Sequence, residues 1–499
     1  MNNTLSKSKK LLILLPLIVL FYGCGTTDTV TVVEQSPESA TAQDSDETTQ
    51  PQDEFQLLRV GNLEPVTNFD PLFADNLSTM RIIALIYDGL FKLNPEGEAE
   101  PALVSDYSVS EDSLQYELKI NRDLYFQDSN VFGSGVGRRI QADDIRWAFE
   151  RTAKVHVPPT ASQLLMNITG YESYFIEQHS VYDESKRVLG RISGIEVVDD
   201  ETIRFTLRQP DSLFIQKLAS PYLSIYPREA VQNSDNGLKN TPVGTGAYVL
   251  NSATEEEVVL SRNPSPRFTD QIEKYPINRI DFLHQSSEAE MFQSFARENI
   301  DWMPELGPQI INQVTVDGSN LNAAYENQFM LIQNSAKRHS MIYLNQNSEQ
   351  SLDYVENQLS ELNEDQLTVP GTISFGSFEA TEMDSAETAP SELYIPFTDN
   401  PFARVLLTDI NNSVFQPETK LAFLDIRAVT PESSLYSRWT DSFHYPLLNS
   451  RIYSGHWLLA ESVIIGIHHS FIEGIVPSSV PWLLPLEGLT VDRPEQDAS

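Results

Sequence analysis

Hydrophobic and polar positions change rhythm several times along the chain. Behind Lys7, Lys9 and Lys10, the run Leu11 to Tyr22 is apolar throughout and ends at Gly23-Cys24-Gly25. A bilayer-spanning helix needs about 20 apolar residues, so this stretch is too short to cross and reads as a secretory signal, residues 1–23. From Phe55 the rhythm becomes that of a folded body. Leu57-Leu58-Arg59-Val60 reads as a short strand, and Asn62 to Phe73, with Pro65 and Pro71, as a loop. Ile82, Ile83, Leu85, Ile86 and Leu90 predict a nearly buried helix from Ser78, stopped by Gly89. Leu114, Tyr116, Leu118 and Ile120 alternate with Gln115, Glu117 and Lys119, the period of a half-buried strand. Ala142 to Lys154 reads as a helix with Asp143 and Asp144 at its start and Arg151 and Lys154 at its end, the order its dipole favours. Ile195–Val197 and Ile203–Leu207 flank Asp199-Asp200-Glu201 as the arms of a β-hairpin. Strands and helices interleave without a strict βαβ period, which predicts a mixed α/β fold.

Composition narrows the function classes. The 499 residues carry 34 Lys+Arg against 71 Asp+Glu, a formal charge of −37. Such a surface repels phosphate backbones, so nucleic acid is not an expected partner. The single cysteine, Cys24, excludes a disulfide framework, a zinc ribbon and a CxxC pair. Residues 26–54 hold eight Asp/Glu and no Lys or Arg. With so little apolar surface, residues 24–54 are expected to be a disordered acidic tether. Residues 346–400 contain twelve Asp/Glu and no Lys or Arg and are expected to be a partly disordered insertion.

Cys24 sits at the expected cleavage point, and the segment before it resembles a bacterial lipoprotein signal, in which that cysteine becomes the acylated first residue. The folded body resembles the family 5 extracytoplasmic solute-binding proteins, the peptide- and nickel-binding components of ABC importers. The resemblance rests on motifs in the family's order: Asn68-Phe69-Asp70-Pro71, Ile86-Tyr87-Asp88-Gly89-Leu90, Glu100-Pro101-Ala102-Leu103, Ile140 to Ile145 with Phe149-Glu150-Arg151, Pro242 to Tyr248, Arg262-Asn263-Pro264, Ile280-Asp281-Phe282 and Glu298 to Asp301. Met341 to Asn345 resembles the family's strand near the start of the second lobe. Ile464 to Ile475, followed by Val476 to Pro481, resembles the family's helix before a Pro-rich turn.

This resemblance implies a two-lobed periplasmic-binding-protein-like α/β fold, with lobe I at 55–260, lobe II at 261–481 and a tail at 482–499. It implies an exported, membrane-anchored protein that captures an oligopeptide or similar solute by lobe closure, hands it to an ABC permease, and needs no cofactor. Family members usually continue well over a hundred residues past the Pro-rich turn, whereas only 18 follow Pro481 here. The return to the first lobe is therefore expected to be replaced by the middle segment or missing, and peptide binding to be weakened. The alternative is a surface lipoprotein of the same ancestry that no longer transports.

Candidate ligand residues are Asn68, Phe69 and Asp70 in the first motif loop, and Asp301 with Trp302. Asp301 is either a partner for a ligand amine or a turn residue. Trp302 is either an apolar platform or core, and large aromatics are normally well buried. Gly244 and Gly246 allow positive φ or close backbone approach, at a hinge or simply at a turn before a strand. Gly133 to Gly137 lacks the Lys-Ser/Thr of a phosphate loop and reads as an exposed hairpin loop. There is no GxSxG elbow or HExxH helix. On a helix, the neighbours His468 and His469 would make a poor metal pair. An acidic hydrolase has only carboxylate abundance behind it, and the chain is read as a binding protein.

Overall fold

A computed structural model describes residues 55–265, 273–316, 318–344, 372–375, 394–396, 422–424, 435–441 and 456–493. Cys24, the tether and all of 346–400 except the strands Thr372–Phe375 and Tyr394–Pro396 lie outside these residues. Contacts divide the chain into two units, Met1–Glu54 and Phe55–Ser499, and all the described residues belong to the second.

The alternation around Leu58 and Val60 produces the strand Leu57–Gly61, which lies inside a nine-stranded mixed sheet. On one side it runs parallel to Arg279–Leu283, followed outward by Glu257–Arg262 and, at the edge, Tyr248–Ala253. On the other side it runs parallel to Trp302–Met303, which pairs antiparallel with His456–His469. Phe329–Leu344 and Leu435–Asp441 complete that side, and Thr372–Phe375 also pairs with His456–His469. The sheet thus takes strands from both ranges expected as lobes, and residue 260 falls within one of its strands. The predicted hairpin Ile195–Asp199/Thr202–Thr206 joins Gln115–Ile120 and Val104–Val109 in a separate antiparallel sheet.

Helix Leu77–Ile86 begins at Asn76, whose side chain accepts from the Thr79 amide at 2.7 Å, and is buried over most of its length. Helix Ala142–Arg151 carries the predicted charge order, and Asp144 accepts from the Gln141 amide at 3.0 Å. The glycine-rich loop after Ser129 is a hairpin loop, closed by an antiparallel bridge between Tyr125 and Arg139.

Two expectations about the end of the chain are corrected. The stretch resembling a helix from Ile464 is a strand through His469, because Val463-Ile464-Ile465 and Ile467 are β-branched residues that fit a pleated, doubly covered surface. Gly466 lets that strand press on its neighbour: a Cβ there would stand 2.8 Å from the Pro304 carbonyl oxygen. Residues 482–493 are not a tail. Trp482, Leu484, Leu486, Leu489 and Val491 are buried in the main core, and Thr490–Val491 pairs with Ile472–Glu473. Residues 476–493 pack back onto the start of the folded body. The Ser479 amide donates to the Pro95 carbonyl at 2.7 Å and the Val491 amide to Gln56 Oε1 at 2.9 Å.

Candidate functional site

The motif loop Asn68–Pro71 is built around a buried ion pair. Asn68 Oδ1 accepts from the Asp70 amide at 3.0 Å, and Asp70 Oδ1 caps the short helical turn Pro71–Phe73 through the Leu72 amide. Both Asp70 oxygens then receive Arg151, the last residue of helix Ala142–Arg151, with Nη1 to Oδ1 at 2.9 Å. Nη1 also donates to the Tyr226 hydroxyl at 2.9 Å, and burial pushes that phenol up to about 12. Tyr87 ties the loop down through a 3.0 Å bond to the Phe69 carbonyl.

Gly244 and Gly246 lie where backbone meets backbone. A Cβ at Gly244 would stand 2.1 Å from the Ile86 carbonyl oxygen and one at Gly246 2.4 Å from that of Leu85. Neither is among the positive-φ residues, so close approach, not left-handed geometry, calls for glycine here. Between them Thr245 Oγ1 donates to Asp88 Oδ2 at 2.8 Å, and burial raises the Asp88 carboxyl. The Gln127 amide nitrogen serves the carbonyls of Ile86, Gly246 and Tyr248, the last at 2.6 Å. Two motifs whose Asp88 and Thr245 are 157 positions apart are thus a single packed joint.

An open cavity of about 610 Å³ lies beside this joint. Thr67, Phe69, Asp128, Pro242 and the edge strand from Val249 to Ala253 line it. Its lining contains carboxylates but no Lys or Arg.

Asp301 and Trp302 lie elsewhere, at the centre of the sheet. Asp301 is fully buried and accepts from Arg59 Nη2 at 2.7 Å, the Arg59 amide at 2.7 Å, and Arg493 Nε and Nη2. Its carboxylate therefore joins the first strand to the last described residue of the chain. Trp302 is 3% exposed and lines a narrow crevice distinct from the cavity beside Phe69. Residues 68–70 and 301–302 are not brought to one pocket. Sequence reasoning passed over Arg81, whose Nη1 meets Glu305 Oε2 at 3.0 Å in the same crevice region. The available signal was a lone arginine within the apolar helix Leu77–Ile86. Burial lowers its pKa to about 10, so it stays cationic at neutral pH.

His468 and His469 are successive strand residues and face opposite ways. His469 Nε2 lies 2.8 Å from the Phe295 carbonyl, with its ring stacked on Phe295 and Phe471. Among the described residues no group of three or more His, Cys, Asp or Glu is arranged to hold a metal ion.

Known proteins share this framework. The family model for bacterial extracellular solute-binding proteins, family 5 Middle, matches residues 98–358, just over half of the chain. Di/tripeptide-binding protein 4 of Pseudomonas aeruginosa is 30% identical over 173 residues, 34% of this chain and 30% of that protein. The glutathione-binding protein GsiB of Salmonella choleraesuis is 25% identical over 193 residues, 39% of this chain and 31% of its own. The matched stretch therefore spans about a third of these relatives' length. Listeria monocytogenes OppA bound to peptide superposes with a TM-score of 0.67 at 12% identity, covering 88% of this chain and 99% of that one. The Escherichia coli murein tripeptide binding protein MppA gives 0.68 at 12% identity, with 88% and 99% covered. At such identities the superpositions speak for the fold, which is the two-lobed α/β fold of periplasmic peptide-binding proteins. With the family model spanning residues 98–358, the chain belongs to the bacterial extracellular solute-binding proteins, family 5.

Proposed function

We propose that this protein captures short peptides outside the cytoplasm and delivers them to an ABC permease, without catalysing a reaction. The family-model match over residues 98–358 carries the reading. The names of the two relatives, for di/tripeptides and for glutathione, make short peptides the first solutes to try. The mechanism is a shift of population: contacts made only when the lobes enclose the solute favour the closed state. The alternative of a lipoprotein that no longer transports has a missing return segment as its motive, and residues 476–493 pack back onto the first strand.

Calorimetry and thermal unfolding of the purified protein against di-, tri- and longer peptides test the proposal. Micromolar binding is expected, and a ligand at 100 times its Kd should add about 2.7 kcal/mol of stability. A flat response across the whole panel would refute peptide capture.

In this reading Cys24 is the acylated anchor, residues 24–54 are its tether, and Gly244 and Gly246 hold the joint near which the chain bends. Among the ligand residues read from the sequence, the loop Asn68–Asp70 contributes Phe69 to the cavity lining. Cys24→Ala is expected to release the protein from the membrane fraction, since stable anchoring needs more than one acyl chain. Detergent-requiring retention of that variant would rule the anchor out.

A further inference from the structure

Seven buried side-chain nitrogen or oxygen atoms among the described residues have no hydrogen-bond partner, and two of them, Trp302 Nε1 and Arg81 Nε, belong to side chains that line the same crevice. Both side chains are almost wholly enclosed, at 3% and 2% exposure. Both atoms can only donate, and a buried donor left unpaired costs roughly 1–3 kcal/mol. The nearby acceptors are engaged: the Pro481 carbonyl receives Arg81 Nη2 at 3.4 Å, and Asn334 Oδ1 receives the Ser478 amide at 2.9 Å. The rest of the wall is largely aliphatic or proline, including Pro304, Ile332 and Val480. Val476, at the rim, is 44% exposed.

We infer that this crevice is a socket for one neutral acceptor oxygen, the amide carbonyl of the captured solute, held by the Trp302 indole N–H and the Arg81 Nε–H. This rests on the solute-binding reading and names a chemical group that the solute must present. Size argues for a single atom: the crevice offers about 10 Å³, the lower limit for one water-sized oxygen. Charge argues against a carboxylate. Arg81 is already paired with Glu305, and the charge of Glu64 also acts on it, so two carboxylates oppose one cation and a third would be repelled. A water molecule offers the same chemistry and fills the socket until a carbonyl displaces it. Trp302 thus acts through its nitrogen, not as an apolar platform.

The test uses the full chain with ¹⁵N-labelled tryptophan, which gives one indole signal for each of its five tryptophans. The Trp302 signal is the one missing from Trp302→Phe. Should that variant not fold, Phe variants at the other four positions identify it by elimination. N-methylacetamide is expected to move this signal saturably, and acetate at the same concentration to leave it in place. Short peptides should move it too, and Trp302→Phe should bind them about five- to tenfold more weakly. If neither N-methylacetamide nor peptide moves the signal, the socket holds only water and the inference is overturned. Acetate acting as strongly as the amide would overturn the neutral-acceptor assignment. Movement with N-methylacetamide but with no peptide would uphold the socket and overturn peptide capture.

Discussion

Arg151→Ala is expected to lower the unfolding free energy by about 3–5 kcal/mol, the cost of leaving a buried charge without its partner. The stranded group is Asp70, which is 5% exposed and has both oxygens directed at the lost guanidinium. Tyr226 loses its hydrogen bond from Arg151 in the same step. The double variant Asp70→Asn, Arg151→Met should recover much of the loss, because paired removal leaves no isolated ion and Asn can still cap the following turn. Urea midpoints followed by circular dichroism measure both. A single-variant loss below about 1 kcal/mol would mean that water reaches Asp70, because exposed pairs are worth no more than that.

Asp301→Ala should cost about 3 kcal/mol, the lower end for a broken buried pair, since its two arginines can regain water. Arg59 and Arg493 are 22% and 32% exposed, whereas Asp301 is fully enclosed. The variant also leaves the Arg59 amide without its side-chain acceptor. Arg493→Ala removes only one of the two cations and should cost about 1 kcal/mol or less, as for partly exposed pairs. Equal losses for the two variants would show that Arg493, not the carboxylate, organises the cluster.

Legibility in the sequence followed the range of the interaction. Local periodicity placed Leu57–Gly61, Gln115–Ile120, the hairpin Ile195–Thr206 and helix Ala142–Arg151 to within a few residues, because neighbouring residues decide those elements. The motif order pointed to the family, yet it did not reveal that separate motifs are physical partners. Asp70 meets Arg151, and Thr245 meets Asp88, across separations that no local pattern encodes. Residues 464–467 of the strand His456–His469 escape a periodicity reading for the opposite reason: a continuously buried run lacks the alternation that distinguishes strand from helix. Asp301 and Trp302 stand out in the sequence, but a one-dimensional reading cannot tell a buried ion triad from a ligand contact. Arg81 was legible in principle as the one cation in its helix, and only its unpaired Nε gives it a role beyond the salt bridge with Glu305.

The contacts between the first strand and residues 491–493 also set an order of events. Arg493 bonds the Leu57 carbonyl across 436 positions, and the Gln56 side chain holds the Val491 amide across 435. Loops of that length must close before these contacts can form, which makes them slow. During synthesis the first strand emerges early, yet its clamp appears only after another 435 positions. The first strand therefore waits for almost the whole chain before it is locked to residues 491–493.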